Sequence, residues 1–299
     1  MWTYPSTIAC TVAIYWLFRG FERWGVSSTW AITINYGVAA ALGWAMAGGM
    51  PSLDQSLNAP WMPAVALMGL AFYPLFRLTA RCTQSLGVSV ASIATKLSMA
   101  IPIVAFTLAD GLGNTHWGQW AGVALAFPAV ILASSQRDQH ESEEGLPTRN
   151  RTWWRSLHWM PLVMFVGSGA IDTVFGWFAQ SESLNDPAMQ FAFASVPFSL
   201  GAVVGLLDLL RQRAALPRRR DLLGGSALGV VNFGSLYFLL LAYDANLLDR
   251  AMVVPTLNLS VIVLATFGGM WLFRDRMDAS TRWGVALAGA SIVLTMLFA

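Results

Sequence analysis

Ten apolar runs, each about as long as a bilayer crossing, constrain this chain more than any other feature. They lie at about 5–24, 28–47, 61–79, 88–109, 117–134, 159–178, 187–208, 223–242, 251–273 and 281–298. A hydrocarbon core about 30 Å thick takes about 20 apolar residues per helix, so ten crossings use roughly 200 residues of the chain. The rest suffices for short connections and leaves no room for a separate soluble domain. Only 11% of the residues are charged, against about 25% in an ordinary soluble domain. A soluble globule of this size has too few charges to cover its surface. The runs are separated by breaker-rich stretches (GGMPSLDQSLNAP, DGLGNTH, SESLNDP, LPRRRD) that read as turns. The opening MWTYPSTIACTVAIYWLF has no basic segment ahead of its apolar run, and reads as a retained helix rather than a cleaved leader.

The basic residues are 17 arginines and one lysine, and their placement is uneven. Loops after odd-numbered runs hold Arg19, Arg23, Arg77, Arg81, Arg137, Arg149, Arg151 and Arg155. They also hold Arg211, Arg213, Arg218, Arg219, Arg220, Arg274, Arg276 and Arg282. Even-numbered loops and both termini hold Arg250 alone. Arginine marks the cytoplasmic side of a membrane protein. The bias therefore predicts cytoplasmic odd loops and both termini outside. Arg77 and Arg81 are equally compatible with a helix end whose side chains snorkel to the interface. The segments 137–155 and 211–220 read as topology determinants, with a weak contact to anionic lipid as the alternative. The net charge of +2 gives no reason to expect nucleic acid.

The sequence repeats itself. Gly122 and Gly284 both open the string GVALA, 162 residues apart, and the same offset superposes Leu97-Ser98 on Leu259-Ser260 and Lys96 on Asn258. Five runs lie on either side of a polar stretch, SSQRDQHESEEGLPTRNR, which divides the chain into 1–134, a linker at 135–158, and 159–299. Because five is odd, a second copy enters the membrane from the opposite face. Inverted repeats of this kind build secondary transporters with a site at the midplane.

These segments resemble the EamA-type repeat of the drug/metabolite transporter superfamily, in which a helix closes on an acidic residue with a glycine nine positions later. The second half reads LFRDRMDASTRWGVALAGASIVL, with Asp275 where the family usually has Glu, and Gly284 nine on. In the first half Gly113 stands at the acidic position, and only Gln119 and Gly122 match. GVSVASIATKLSMAIPIVAF, FVGSGAID and LGVVNFGSLYFLLLA are similar to one largely uncharacterised branch, and the resemblance covers nearly the whole chain. It implies ten transmembrane helices in two inverted five-helix repeats around a central cavity, and transport of small metabolites, usually outward. Better-known members are described with both termini cytoplasmic; the arginine count here places them outside.

Lys96 is the sharpest polar signal. It falls near the centre of the fourth run and is the only lysine in the chain. An ammonium there costs about 2.5–3.5 kcal/mol on insertion scales. Lysine, unlike arginine, changes protonation readily when buried. It reads as an anion-binding or proton-coupled group, or as half of a fixed ion pair. Asp172, in the sixth run, is its natural partner. Asn258, Asn232 and Asn35 bring amides to mid-span, either as interhelical hydrogen bonds or as one polar patch. Tyr36, Tyr73, Trp16 and Trp177 complete the candidate substrate site. Pro102 and Pro255 fall inside runs and can kink them. Gly118/Gly122, Gly201/Gly205 and Gly225/Gly229 form pairs suited to close helix packing. Trp2, Trp24, Trp61, Trp117, Trp153 and Trp154 read as an interfacial belt.

No metal site is expected: His116, His140 and His158 fall in loops or at helix ends, and Cys10 and Cys82 lie toward opposite faces. The expected function is secondary transport of an amino acid or organic anion, with no cofactor and possible coupling to protons. Two other classes stand beside it. An intramembrane enzyme would need a complete catalytic set, for which Lys96 with Asp172 is the one candidate pair. A passive channel would need a pore-lining signature, and no carbonyl-filter string is present.

Overall fold

The computed structural model describes residues 2–110, 117–134, 159–179, 184, 186–244, 250–275 and 277–298. The polar linker, Gly113, the three histidines, Trp153 and Trp154 lie outside the described residues. Twelve helices are formed by the rest: α1 (Thr3–Trp24), α2 (Ser28–Met46), α3 (Met50–Leu57), α4 (Met62–Ser85), α5 (Val88–Leu97), α6 (Ala100–Asp110), α7 (Trp117–Ser134), α8 (Trp159–Ala179), α9 (Pro187–Arg211), α10 (Arg219–Asp244), α11 (Arg250–Phe273) and α12 (Ala279–Leu297). Among the described residues, seven helical stretches are long and apolar enough to cross a membrane: α4, α5 with most of α6, α8, α9, α10, α11 and α12. α7 carries a shorter apolar stretch, Trp120–Ala133. The chain is an α-helical, multi-pass membrane protein.

Local chemistry explains the boundaries. α1 stops at Gly25, whose φ of 59° is the left-handed conformation that favours glycine. α9 starts where the Asp186 carboxylate accepts a hydrogen bond from the Ala188 N–H, with Pro187 at the first position. Three readings of the sequence change. The stretch GGMPSLDQSLNAP is not a simple turn, because Gly48 and Gly49 swing the chain at positive φ into α3, which has a proline in its first turn. Arg77 and Arg81 belong to α4, which continues past the apolar run to Ser85, so they are helix-end residues and not loop residues. The fourth run is not one helix: it is broken at Ser98-Met99 into α5 and α6. Pro102 has no N–H to return to the carbonyl of Ser98, and its ring crowds that carbonyl. The Ser98 carbonyl instead accepts from the Ile101 N–H at 2.9 Å. α11, by contrast, runs unbroken through Pro255.

α5 is the buried hub, packed by α1, α4, α7, α8, α11 and α12. A second apolar cluster joins α1, α2, α4, α9 and α10 around Phe18, Ile32, Tyr36 and Leu228. A third, around Trp61, Val65 and Phe193, joins α4 and α9. Trp61 is fully buried there, its ring edge-on to Phe193 at 5.1 Å, and so presents no ring to lipid. Trp2, Trp24 and Trp117 are exposed.

Glycine pairs permit the closest contacts. A Cβ at Gly225 or Gly229 of α10 would meet the carbonyls of Ala31 and Asn35 in α2 at 2.9 and 2.8 Å. A Cβ at Gly122 of α7 would meet the Ser291 carbonyl at 2.8 Å and the Thr295 N–H nitrogen at 2.9 Å; at Gly284 of α12 it would meet the Ala129 carbonyl at 3.0 Å and the Ala133 nitrogen at 3.1 Å. Ser291 also donates to the Gly122 carbonyl at 2.7 Å.

Candidate functional site

The break in the fourth span determines what surrounds Lys96. It lies in the last turn of α5, where the chain leaves the helix and its carbonyls lose their regular partners. The carbonyl of Lys96 accepts a hydrogen bond from Asn258 Nδ2 of α11 at 3.2 Å, and the same nitrogen lies 3.2 Å from the Met99 sulfur. From Leu86 to Ala100 every residue is buried except Thr95 and Lys96, which are half-buried. Surface thus reaches the hub helix only there. The Lys96 ammonium has no hydrogen-bond or ion-pair partner among the described residues.

Asp172 of α8 faces the same region. Its carboxylate accepts from Ser98 Oγ, in the break, at 3.2 Å. No ion pair of 4.0 Å or less joins Lys96 and Asp172 among the described residues. Asp172 is exposed, and its position on α8 shows to what. Trp159, Val163, Val166, Ala170 and Trp177 form the exposed apolar stripe of the helix. At 3.6 residues per turn Asp172 points about 145° away from that stripe, toward the side occupied by buried Met164 and Phe165. Asp172 is thus exposed on the inward side of its helix and not on the apolar stripe. Tyr15 of α1 extends the polar lining, its hydroxyl hydrogen-bonded to Thr95 Oγ1.

The other candidate residues divide. Asn258 belongs to this centre. Asn232 and Asn35 pair with each other across α10 and α2, their side chains 3.2 Å apart. Tyr36 is buried; its hydroxyl donates to the Phe72 carbonyl at 2.8 Å, and its ring sits among Phe72, Phe76 and Phe198. Tyr73 is also buried and donates to the Asp208 carboxylate at 2.7 Å, beside Arg77, which pairs with the same oxygen. Trp16 packs on Gly268, with its indole N–H buried and unpartnered. Trp177 is exposed near Phe106. Nothing in the geometry brings Tyr36, Tyr73 or Trp177 to Lys96.

A second polar assembly, only partly legible in the sequence, closes one end of the bundle. Arg19 of α1 pairs with Asp275 through Nε at 3.0 Å and a terminal nitrogen at 2.9 Å. It also donates to the Gln84 carbonyl. The other Asp275 oxygen accepts from the Val88 N–H, at the start of α5, at 3.1 Å. Arg23 donates to the carbonyls of Leu272 and Phe273 and lies over the Phe273 ring. At the same end Asp221 accepts from the N–H groups of Ser27 and Arg218, at 2.7 and 2.8 Å. Trp30 donates to the Ala215 carbonyl at 2.9 Å. The bonds of Arg19 and Val88 to Asp275, of Arg23 to Leu272 and Phe273, of Ser27 to Asp221, of Trp30 to Ala215 and of Arg77 to Asp208 fasten residues before position 134 to residues after 159. Thr95, Ser98 and Tyr15 escaped sequence reasoning because neutral hydroxyls are common in membrane helices. Asp208 had a signal that was available: an acid closing an apolar run, three residues before Arg211.

Comparison with known proteins adds the fold. No family model matches the chain. A protein of Haemophilus influenzae, described as uncharacterised, is 24% identical over 294 residues, spanning 95% of this chain and 94% of its own length. A solved crystal structure of a protein aligns with 98% of this chain and 98% of its own, at a TM-score of 0.54 and 13% identity; that likeness is one of fold alone.

Proposed function

We propose that this protein is a secondary transporter of a small metabolite, an amino acid or an organic anion, working by alternating access around Lys96. The observation that carries the reading is a pair of opposite charges inside a membrane bundle, Lys96 half-buried and Asp172 exposed on the inward side of its helix, that form no ion pair with each other. A permanent structural pair would be closed and dry, because two buried ions repay their desolvation only in direct contact. Charges held apart beside accessible space are suited to a ligand with a carboxylate for the ammonium. A zwitterion satisfies both.

The architecture proposed is ten spans in two inverted five-span repeats, 1–134 and 159–299, joined by the 135–158 linker. Its support is reciprocity under the 162-residue offset. Gly122 packs on Ser291 and Thr295, while Gly284, its equivalent, packs on Ala129 and Ala133, theirs. Lys96 bonds Asn258, its own equivalent. Helix pairing obeys the same exchange: α1 packs on α10 and α11 as α8 packs on α4 and α5, and α2 on α10 as α9 on α4. With odd loops cytoplasmic, both termini lie outside the cell (inner) membrane. The Arg19–Asp275 assembly then closes the cytoplasmic end, and the two repeats rock about the centre to open it. Export is the direction the family resemblance favours.

Reconstituted protein tests this. Proteoliposomes are screened for uptake of labelled amino acids and dicarboxylates. Lys96→Ala is expected to abolish uptake of the transported class while leaving the melting temperature within a few degrees of wild type. Unchanged uptake overturns the assignment. Efflux that accelerates when substrate is added to the far side marks a carrier, and its absence marks a pore.

A further inference from the structure

We propose that the outer groove between α11 and α12 is a binding site for an anionic phospholipid, whose phosphate is held by Arg282. The proposal needs only that the chain sits in a membrane and is independent of the transport reading. The groove has a volume of about 530 Å³ and is walled by Val263, Phe267, Met270 and Val285. Phe267 is 62% exposed and Val263 and Met270 are 38% exposed, so the walls face outward, where acyl chains are the solvent. Two polar groups interrupt them. Arg282, in the first turn of α12, is exposed at the mouth. Its Nε donates to the Met277 carbonyl at 3.3 Å, which steadies the guanidinium across the opening and leaves its terminal nitrogens available. Thr266 lines the groove deeper in. It is 5% exposed, and its hydroxyl is buried without a partner.

The arrangement matches an amphiphile end to end. A guanidinium recognises phosphate oxygens two at a time. Below it, about 10 Å from the end of α11 measured along the helix, Thr266 offers a donor where the ester linkages of such a lipid fall. A helical threonine occupies two rotamers that exchange its methyl and hydroxyl, so its donor can turn to the groove. The acyl chain then lies on Val263 and Phe267. The surrounding charge is complementary. Arg274 is exposed at the same end. Asp275 is committed to Arg19 and Val88. Asp278, one turn before Arg282, forms no ion pair with it among the described residues. Basic pockets between helices at a membrane face take anionic head groups in this way, and the exposed Trp271 and Trp283 place the mouth at interfacial depth.

The test uses the purified full chain in neutral detergent with added phosphatidylglycerol, phosphatidylcholine or oleate. A ligand that binds only the folded state raises the unfolding midpoint. Phosphatidylglycerol is expected to raise it beyond phosphatidylcholine and oleate. Arg282→Gln should lose that increment, Thr266→Val should lose part of it, and Arg219→Gln, at an exposed arginine outside the groove, should keep it. No excess for phosphatidylglycerol in the wild type, or a full excess in Arg282→Gln, overturns the proposal. An equal increment from oleate overturns the diacyl assignment. If Arg282→Gln does not fold, Val263→Trp, which fills the groove from its exposed wall, is read by native mass spectrometry. Loss of bound phosphatidylglycerol supports the site, and retention overturns it. A dimer whose cross-linked interface is this groove also overturns it.

Discussion

Replacing Asp275 by alanine probes the closed end of the bundle. Asp275 is 3% exposed and Arg19 11% at the side chain, so the pair is buried. The substitution removes the acceptor of two Arg19 nitrogens and of the Val88 N–H. Orphaning one member of a buried pair costs about 3–5 kcal/mol. The low end applies here, because Arg19 keeps the Gln84 carbonyl and a 3.4 Å contact with Glu22. About 3 kcal/mol is roughly a hundredfold in an equilibrium constant. If the pair exists only when this end is shut, that hundredfold is an upper bound on the rise in the open population. Ser89 is 4% exposed, one residue from Val88, and its hydroxyl has no partner, so Ser89→Cys is a mild reporter. In a background with Cys10 and Cys82 replaced by serine, the rate of labelling by a water-soluble maleimide reads the opening. Asp275→Ala is expected to raise that rate by one to two orders of magnitude. An unchanged rate with a lowered melting temperature refutes the gate and leaves a structural brace. No change in either refutes the reasoning about the buried pair.

Gly122→Ala and Gly284→Ala should each destabilise the protein by about 1–3 kcal/mol through overpacking. Gly122→Ala should be the worse of the two, because its new Cβ meets backbone at 2.8 Å rather than 3.0 Å; thermal melts of the two variants decide the order. Tyr36→Phe should cost about 1 kcal/mol from the lost bond to the Phe72 carbonyl and leave the substrate affinity unchanged. A shift in KM without a shift in stability would return Tyr36 to the binding site.

The helices were legible because lipid enforces a crude rule: length and apolarity suffice to place a span. The run 88–109 shows where the rule fails. Apolar composition is continuous across Ser98-Met99, so only Pro102 marked the break, and Pro255 gave the same signal in a helix that stays whole. Lys96 and Asp172 stood out because charge is rare at mid-span. Depth alone groups Tyr36 and Tyr73 with them, and depth does not fix which way a side chain points around its helix. The positions of both follow from partners, the Phe72 carbonyl and Asp208, that are distant in sequence. Nearness to a span end puts Trp61 at the interface, but position along the chain does not show that its ring is covered by Phe193 of α9. The closure built on Arg19 was invisible as an assembly, since its members are ordinary loop-side arginines until the chain brings Asp275 and Val88 to them.

The severed fourth span has a mechanical consequence. A continuous helix transmits a tilt along its whole length; two helices joined through a turn at Ser98-Met99 transmit less of it. α5 is anchored at its first residue to Asp275 and in its last turn, at Lys96, to Asn258, whereas α6 packs on α8 and α7. Were the proposed carrier to open at the Asp275 anchor, α5 would swing as a short lever with its pivot beside Lys96, and the amine would turn without dragging α6 along.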